Sequence, residues 1–338
     1  LPDAVAYHPD VNVYEVREVD AETGEDTLRA VFMHDNYSRA NKQGGAWMSE
    51  YRCQTRNYVS DATSTNPTIV YNGSVIPIIV NNNNFNKAGE GKETLLSYDD
   101  CTTLFHEFGH GLHGMLSNVH YSTLASTSVL RDFVEMPSQL YEHWLAEKAV
   151  LKKYAVHYET KEPIPDELLT KLKAAGSFNK GFDTVEYLSS ALVDQYLHKV
   201  SDISPSTDST TTGTVSTGTT GTGTSDKFDV ISYEKKILQE LGMPSIMVMR
   251  HRPTHFLHLF ACDSYAAAYY VYLWAEVLDA DGFDAFTECG DCFDKVVATR
   301  VRKYIYSTGN SIEPGEAYRS FRGRDPVVEP MLKKKSLL

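Results

Sequence analysis

Two histidines four residues apart, in His106-Glu107-Phe108-Gly109-His110, constrain this chain more than any other feature of it. Residues four apart on a helix share a face, so one turn can aim both imidazoles at a single ion. Glu107 stands one step round from His106. There it can bond a water beside the ion without ligating it, the arrangement of a general base next to a Lewis acid. The flanking sequence supports a helix: Asp99-Asp100-Cys101-Thr102 supplies capping residues, and an apolar-periodic run continues to about Leu116. The pattern predicts a helix that binds Zn2+.

A catalytic zinc takes three protein ligands and keeps one position open. The longer pattern H-E-x-x-H-x-x-G-x-x-H fails, because this chain has His113 and Leu116 where that pattern has glycine and histidine. His113 lies near the face of His106, so ligation and packing are both open to it. Successive turns of one helix fan out around an ion, which favours packing. The better third donor is Glu135, in Arg131-Asp-Phe-Val-Glu-Met-Pro-Ser-Gln139, at the start of a second helix able to pack beside the first. Asp132 and Glu142, on or near the same face, are either hydrogen-bond partners of the ligand imidazoles or solvated charges. His251, His255 and His258 form a rival cluster, but Pro253 interrupts it and it contains no carboxylate.

Tyr265, Tyr269 and Tyr272 are spaced i, i+4 and i+7, which predicts one helix face, with Tyr270 pointing elsewhere. Aromatic stripes are usually core, yet four phenols in eight residues each need a hydrogen-bond partner when buried. His258 lies seven residues before Tyr265. A phenol and an imidazole aimed at a carbonyl would make an oxyanion site.

The 338 residues suffice for one large domain or two smaller ones. A net charge of −13 argues against non-specific nucleic-acid binding. No run reaches the ~18 apolar residues of a membrane helix, so neither nucleic acid nor membrane is an expected partner. Five cysteines, sparse and odd in number, suggest reduced thiols and a cytoplasmic setting. Cys289 and Cys292 form a lone C-x-x-C, read as helix-face neighbours ahead of redox or zinc work. The first residue is Leu1, consistent with a start inside a longer gene product.

Alternation predicts a hairpin, Val11 to Val19 and Leu28 to Met33, followed by a polar loop around Gln43-Gly44-Gly45. Thr68 to Tyr71 leads through Asn72-Gly73 into Val75–Val80. Pro77 marks that run as an edge strand, able to add an extended peptide. Helices are expected from Asp132 to Tyr154, Asp166 to Ala175, Thr184 to Val200 and Asp229 to Leu241, and through most of 265–307. Ser, Thr and Gly fill 20 of the 25 positions 201–225, the composition of a flexible insertion.

With these residues in place, the chain resembles the thimet oligopeptidase and peptidyl-dipeptidase (dipeptidyl carboxypeptidase) family of zinc metallopeptidases. The matching pieces are Gln43-Gly-Gly-Ala-Trp47, Phe105-His-Glu-Phe-Gly-His-Gly-Leu-His113, Asp132-Phe-Val-Glu-Met-Pro-Ser-Gln139, the 265–276 stretch ending Tyr-Leu-Trp-Ala-Glu, and Phe321-Arg-Gly-Arg324. The Glu135 neighbourhood looks most like the dipeptidyl carboxypeptidase branch. The resemblance implies a fold that is mainly α with a small β-sheet, a zincin-like helical metallopeptidase catalytic lobe spanning 1–338. It implies zinc on His106, His110 and Glu135, with Glu107 as base. It makes His258 and Tyr272 transition-state contacts and Tyr265 and Tyr269 substrate-binding residues.

Two departures are local: Ala261-Cys262-Asp263-Ser264 stands where the family has a glycine-rich loop, and 201–225 has no counterpart. Family members are considerably longer, so an N-terminal helical half or a partner chain is expected to supply one channel wall. The expected activity is hydrolysis of short peptides with release of C-terminal dipeptides. Endo-cleavage of oligopeptides and a zinc-containing peptide-binding scaffold with little turnover are the alternatives. Arg322 and Arg324 are available to anchor a free carboxylate, or to brace C-terminal packing.

Overall fold

Period-two alternation forms strands where it implies them: β1 (Val11–Val19) and β2 (Asp26–Tyr37) make an antiparallel hairpin. The computed structural model describes residues 6–20, 22–56, 70–71, 73–201 and 228–338. The following strands are β3 (Trp47–Arg52), β4 (Val70–Tyr71), β5 (Ser74–Val75) and β6 (Ile78–Phe85). The main sheet has the order β1-β2-β6-β3. β2 and β6 run parallel, and the other pairs are antiparallel. β4 and β5 pair separately. β2 outruns the expected Met33 because it pairs on both sides, with β6 as far as Tyr37.

The expected edge strand Val75–Val80 is not formed. Val75 closes the short β4–β5 hairpin, and Ile78 opens a strand with a neighbour on each side. Pro77 sits at the mouth of β6, where its missing donor disturbs no ladder, and its carbonyl accepts from Val31 N–H at 3.0 Å. The sheet edges are β1 and β3. Thr68, Ile69 and Asn72 of the expected strand pair lie outside the described residues, as does the 201–225 insertion after Ser201.

The helices are α1 (Tyr98–Met115), α2 (Arg131–Val134), α3 (Met136–Ala146), α4 (Lys148–Tyr154), α5 (Asp166–Gly176), α6 (Lys180–His198), α7 (Val230–Glu240), α8 (Leu257–Phe260), α9 (Val271–Cys289) and α10 (Lys295–Val301). A π-helical turn at Arg302–Tyr306 precedes α11 (Pro314–Arg322) and α12 (Glu329–Lys334). The expected helix from Asp132 to Tyr154 is divided in three. Pro137 falls in the first turn of α3, where no intrahelical donor is needed. Tyr265 to Tyr270 is not helical, so only Tyr272 of the tyrosine series sits on α9. The C-x-x-C is likewise not a helix-face pair. Cys289 ends α9, Gly290 leaves the helix at φ +71°, and Cys292 lies in the next turn. Cys53, Cys101, Cys289 and Cys292 are free thiols.

The described residues divide into two compact units, one through Lys173 together with Ala275–Lys334, the other Ala174–Trp274 with Lys335–Leu338. In the first, one sheet face (Ala30, Phe32, Ile79) packs on Phe108, Leu112 and Met115 of α1. A larger core joins Met136 and Leu140 of α3 to Leu278 and Phe286 of α9, Ile305, Tyr318 and Phe321. Full burial of a side chain such as Leu140 stabilises by about 1.5–3 kcal/mol. The second unit has its own core of Val193, Ile237 and Met249.

The alternative for Arg322 and Arg324 is settled by Asp281, which is fully buried on α9. Arg324 makes paired contacts with its carboxylate, Tyr318 Oη donates to Oδ2 at 2.6 Å, and Arg322 Nε donates to its main-chain carbonyl at 2.9 Å. Both arginines brace the C-terminal packing. Replacing Asp281 with Ala is expected to lower stability by about 3 kcal/mol, because it strips the guanidinium groups of a buried counter-ion. The midpoint of chemical denaturation measures this. An unchanged midpoint would return the arginines to the list of candidate substrate anchors.

Candidate metal centre

The site begins with the cap of α1. Ser97 and Asp100 form a reciprocal capping box, each side chain accepting from the other's backbone N–H at 3.0 Å. From that fixed start, His106 and His110 fall one turn apart, with ring centroids at 4.9 Å. α1 then lies against α3 at unusually close range. A Cβ added to Gly109 would stand 2.6 Å from Ser138 Cα and 2.9 Å from the Pro137 carbonyl. Phe105 stacks on Tyr141 at 5.4 Å, with Phe108 beside it at 5.7 Å. This contact delivers Glu135, the residue between α2 and α3, to the two imidazoles.

Glu135 is 2 % exposed, and its Oε2 lies 3.3 Å from His106 Nε2 and 3.2 Å from His110 Nε2. These three residues form the one group of metal-ligand type among the described residues. The residues fit zinc. Two imidazole nitrogens and a carboxylate oxygen are its usual ligands, and tetrahedral ligands at zinc distances stand about 3.4 Å apart. Burial alone would push the Glu135 carboxyl up, but the two imidazoles override it and hold the group well below the usual carboxylate range. Burial likewise opposes a charged His106, yet hydrogen bonds to Glu135 and Glu142 hold its pKa well above that of an ordinary imidazole. The pocket is electrostatically arranged for positive charge.

Glu142, rather than Asp132, meets the ligand imidazole: its Oε1 lies 2.6 Å from His106 Nδ1 and so directs Nε2 toward Glu135. His110 Nδ1 is buried with no such partner among the described residues. Ser138, which the sequence reading passed over, holds Glu135: its Oγ lies 2.8 Å from the Glu135 carbonyl and 3.3 Å from Oε2. A hydroxyl three residues after the carboxylate at a helix start was the available signal. His113 is fully buried beside Tyr306 and outside the ligand group, with a pKa pushed down to about 3 by burial and by His110. It packs.

Glu107 is 5 % exposed, and its Oε2 is buried without a donor among the described residues. Burial raises its pKa, and the neighbouring His106 and His110 pull it down less strongly. An orphaned carboxylate oxygen thus stands one step from two imidazoles of metal-ligand type.

The second unit holds the other expected residues. Tyr272 Oη and His258 Nε2 are 2.8 Å apart. The Tyr265 ring packs on His258 at 4.3 Å and stacks parallel to Tyr272 at 6.1 Å, and Tyr269 meets Tyr272 at 5.7 Å. Burial raises the Tyr269 phenol, so it stays a neutral donor at physiological pH. The structure therefore gathers His258 and the three tyrosines, although not through the expected helix face. The rival cluster of His251, His255 and His258 forms no metal-ligand group among the described residues.

Known proteins resemble this chain along nearly its whole length. Residues 2–337 match Peptidase family M3. Dipeptidyl carboxypeptidase of Escherichia coli (strain K12) is 36 % identical over 335 residues, which are 99 % of this chain and 43 % of that protein. Oligopeptidase A of the same strain is 35 % identical over 331 residues, 98 % of this chain and 43 % of its own length. An organellar oligopeptidase A of Arabidopsis thaliana is 32 % identical over 99 % of this chain and 38 % of the relative. The chain thus spans less than half the length of these relatives. A mostly helical chain with a small sheet, matched almost end to end, belongs to peptidase family M3.

Proposed function

We propose that this chain hydrolyses short peptides as a zinc metallopeptidase, preferring to release C-terminal dipeptides. The observation that carries the reading is the Glu107 oxygen beside the His106, His110 and Glu135 group, buried with no partner among the described residues. His106, His110 and Glu135 would hold the ion. When bound, zinc supplies Lewis acidity and brings the pKa of a coordinated water toward about 7.

Glu107 Oε2 accepts the proton of the attacking water and returns it to the leaving amine. Its burial favours that exchange, since the raised pKa makes it a stronger base toward the water's proton than an exposed carboxylate. Glu142 and Ser138 keep His106 and Glu135 aimed. In this reading Tyr272 and His258 donate to the carbonyl oxygen as charge builds on it, and Tyr265 and Tyr269 bind the substrate. The family resemblance supports those four roles. β3, an edge of the sheet, takes over from Val75–Val80 as the strand a peptide backbone would join. A cytoplasmic setting is supported by the sparse, odd set of five cysteines. A further helical half, as the resemblance implies, belongs to the same reading and is tested by the native mass.

Dipeptide release is preferred to endo-cleavage because the Glu135 neighbourhood looks most like the dipeptidyl carboxypeptidase branch. A matched peptide pair, one with a free C-terminus and one amidated, separates the readings. Cleavage of only the free peptide is expected. Cleavage of both would make the chain an endopeptidase, and zinc binding without cleavage a scaffold. Chelation is expected to abolish turnover and added zinc to restore it. Turnover that survives complete metal removal would end the proposal.

A further inference from the structure

The tyrosine turn is held from behind by α6. Asp194 is 1 % exposed, and its carboxylate accepts from two backbone donors: Ala267 N–H at 3.2 Å on Oδ1 and Tyr269 N–H at 3.0 Å on Oδ2. The Gln195 side chain donates to the Ala267 carbonyl, and the Tyr187 hydroxyl to the Tyr269 carbonyl. Ala267 has φ +55°, a region L residues rarely enter without outside support. The partners of these two N–H groups and two carbonyls of the bend all come from one helix, α6.

The same carboxylate reaches the His258 side. Asp194 Oδ1 lies 2.9 Å from His198 Nδ1, and the His198 ring stacks at 6° on Phe260, two residues from His258 on α8. Burying a carboxylate is costly, so it persists where its hydrogen bonds fix a geometry that apolar packing would leave loose. No neutral side chain replaces it. An amide in its place would turn one of the two acceptors into a donor facing a backbone N–H.

We propose that Asp194 is a positioning residue that sets the turn Tyr265 to Tyr270 and so registers Tyr265, Tyr269 and Tyr272 against His258. The inference rests on the peptidase reading for its kinetic consequence, though not for its structural one. In the whole zinc-loaded chain, Asp194→Asn is expected to lower kcat at least about tenfold while KM moves less than about threefold, since misplacement mainly costs transition-state contacts. Zinc content should be unchanged. Combined with Tyr272→Phe, its effect should be clearly less than additive, because both changes remove the same contact.

Backbone amide exchange at Ala267 and Tyr269 should quicken at least about tenfold. That readout needs no substrate, so it still decides the structural claim if the peptidase reading fails. Unchanged kcat, additive losses, or retained protection of those two amides would each overturn the proposal. Should Asp194→Asn fail to fold, Tyr187→Phe removes the hydroxyl that donates to the Tyr269 carbonyl. It must show the same kcat-weighted loss and faster turn exchange, and normal behaviour there also overturns it.

Discussion

Glu107→Gln is expected to lower kcat at least about 100-fold while leaving the bound metal in place. The separation of effects follows from geometry. Glu107 lies outside the His106, His110 and Glu135 group, so an isosteric amide leaves that group intact. Its Oε2 is buried and has no donor among the described residues, which leaves it open to a water. Glutamine can still orient a water, but it cannot take the water's proton or hand one to the leaving amine. KM should therefore move little. The companion change Glu135→Gln has the opposite signature, losing metal and activity together. Rapid-quench kinetics with zinc analysis on the same sample distinguish the two. Retention of more than about a tenth of wild-type kcat by the metal-loaded Glu107 variant would show that the base is elsewhere.

What the sequence revealed divides by the range of the interactions involved. The metal helix was legible because everything that makes it is local: a cap, a 3.6-residue period and two imidazoles on one face. Glu135 was legible as a carboxylate at a second helix start. The close approach that brings it to the imidazoles depends on Gly109 and Ser138, 29 positions apart, and no local pattern announces that. The tyrosine turn misled for the same reason. Spacing alone predicts a helix through Tyr265, Tyr269 and Tyr272. Asp194, more than 70 positions upstream, instead takes the N–H groups of Ala267 and Tyr269. The rings meet across a bend rather than along a helix face. Pro77 misled differently. Proline excludes a ladder donor, and the position just before a strand meets that condition as well as a sheet edge does. Only the pairing of β6 with β2 and β3 distinguishes them.

Gly109→Ala tests the packing on which the centre depends, and here two physical effects predict opposite signs. Helix propensity alone favours alanine over glycine by about 1 kcal/mol. Sterics oppose it: the new Cβ would lie 2.6 Å from Ser138 Cα and 2.9 Å from the Pro137 carbonyl, both backbone atoms that no rotamer change can move. Reaching ordinary contact requires α1 and α3 to part by roughly 1 Å. Glu135 sits at the head of α3 and is tied to Ser138, so it moves with that helix. Its Oε2 then leaves the positions 3.3 and 3.2 Å from the two ligand nitrogens. Destabilisation of about 1–3 kcal/mol is expected for such overpacking. Zinc affinity, measured by competition with a chelator, should fall at least about tenfold, since aim and not ligand identity has changed. Gly181→Ala is the steric control: it lies in the first turn of α6 and a Cβ there meets nothing within 4 Å, so a gain smaller than a helix-interior glycine would give should appear unopposed. If the Gly109 variant is stabilised like the control and binds zinc as tightly as the parent, the contact between α1 and α3 does not set the metal geometry. The helix bearing both histidines would then tolerate a looser neighbour than this structure implies.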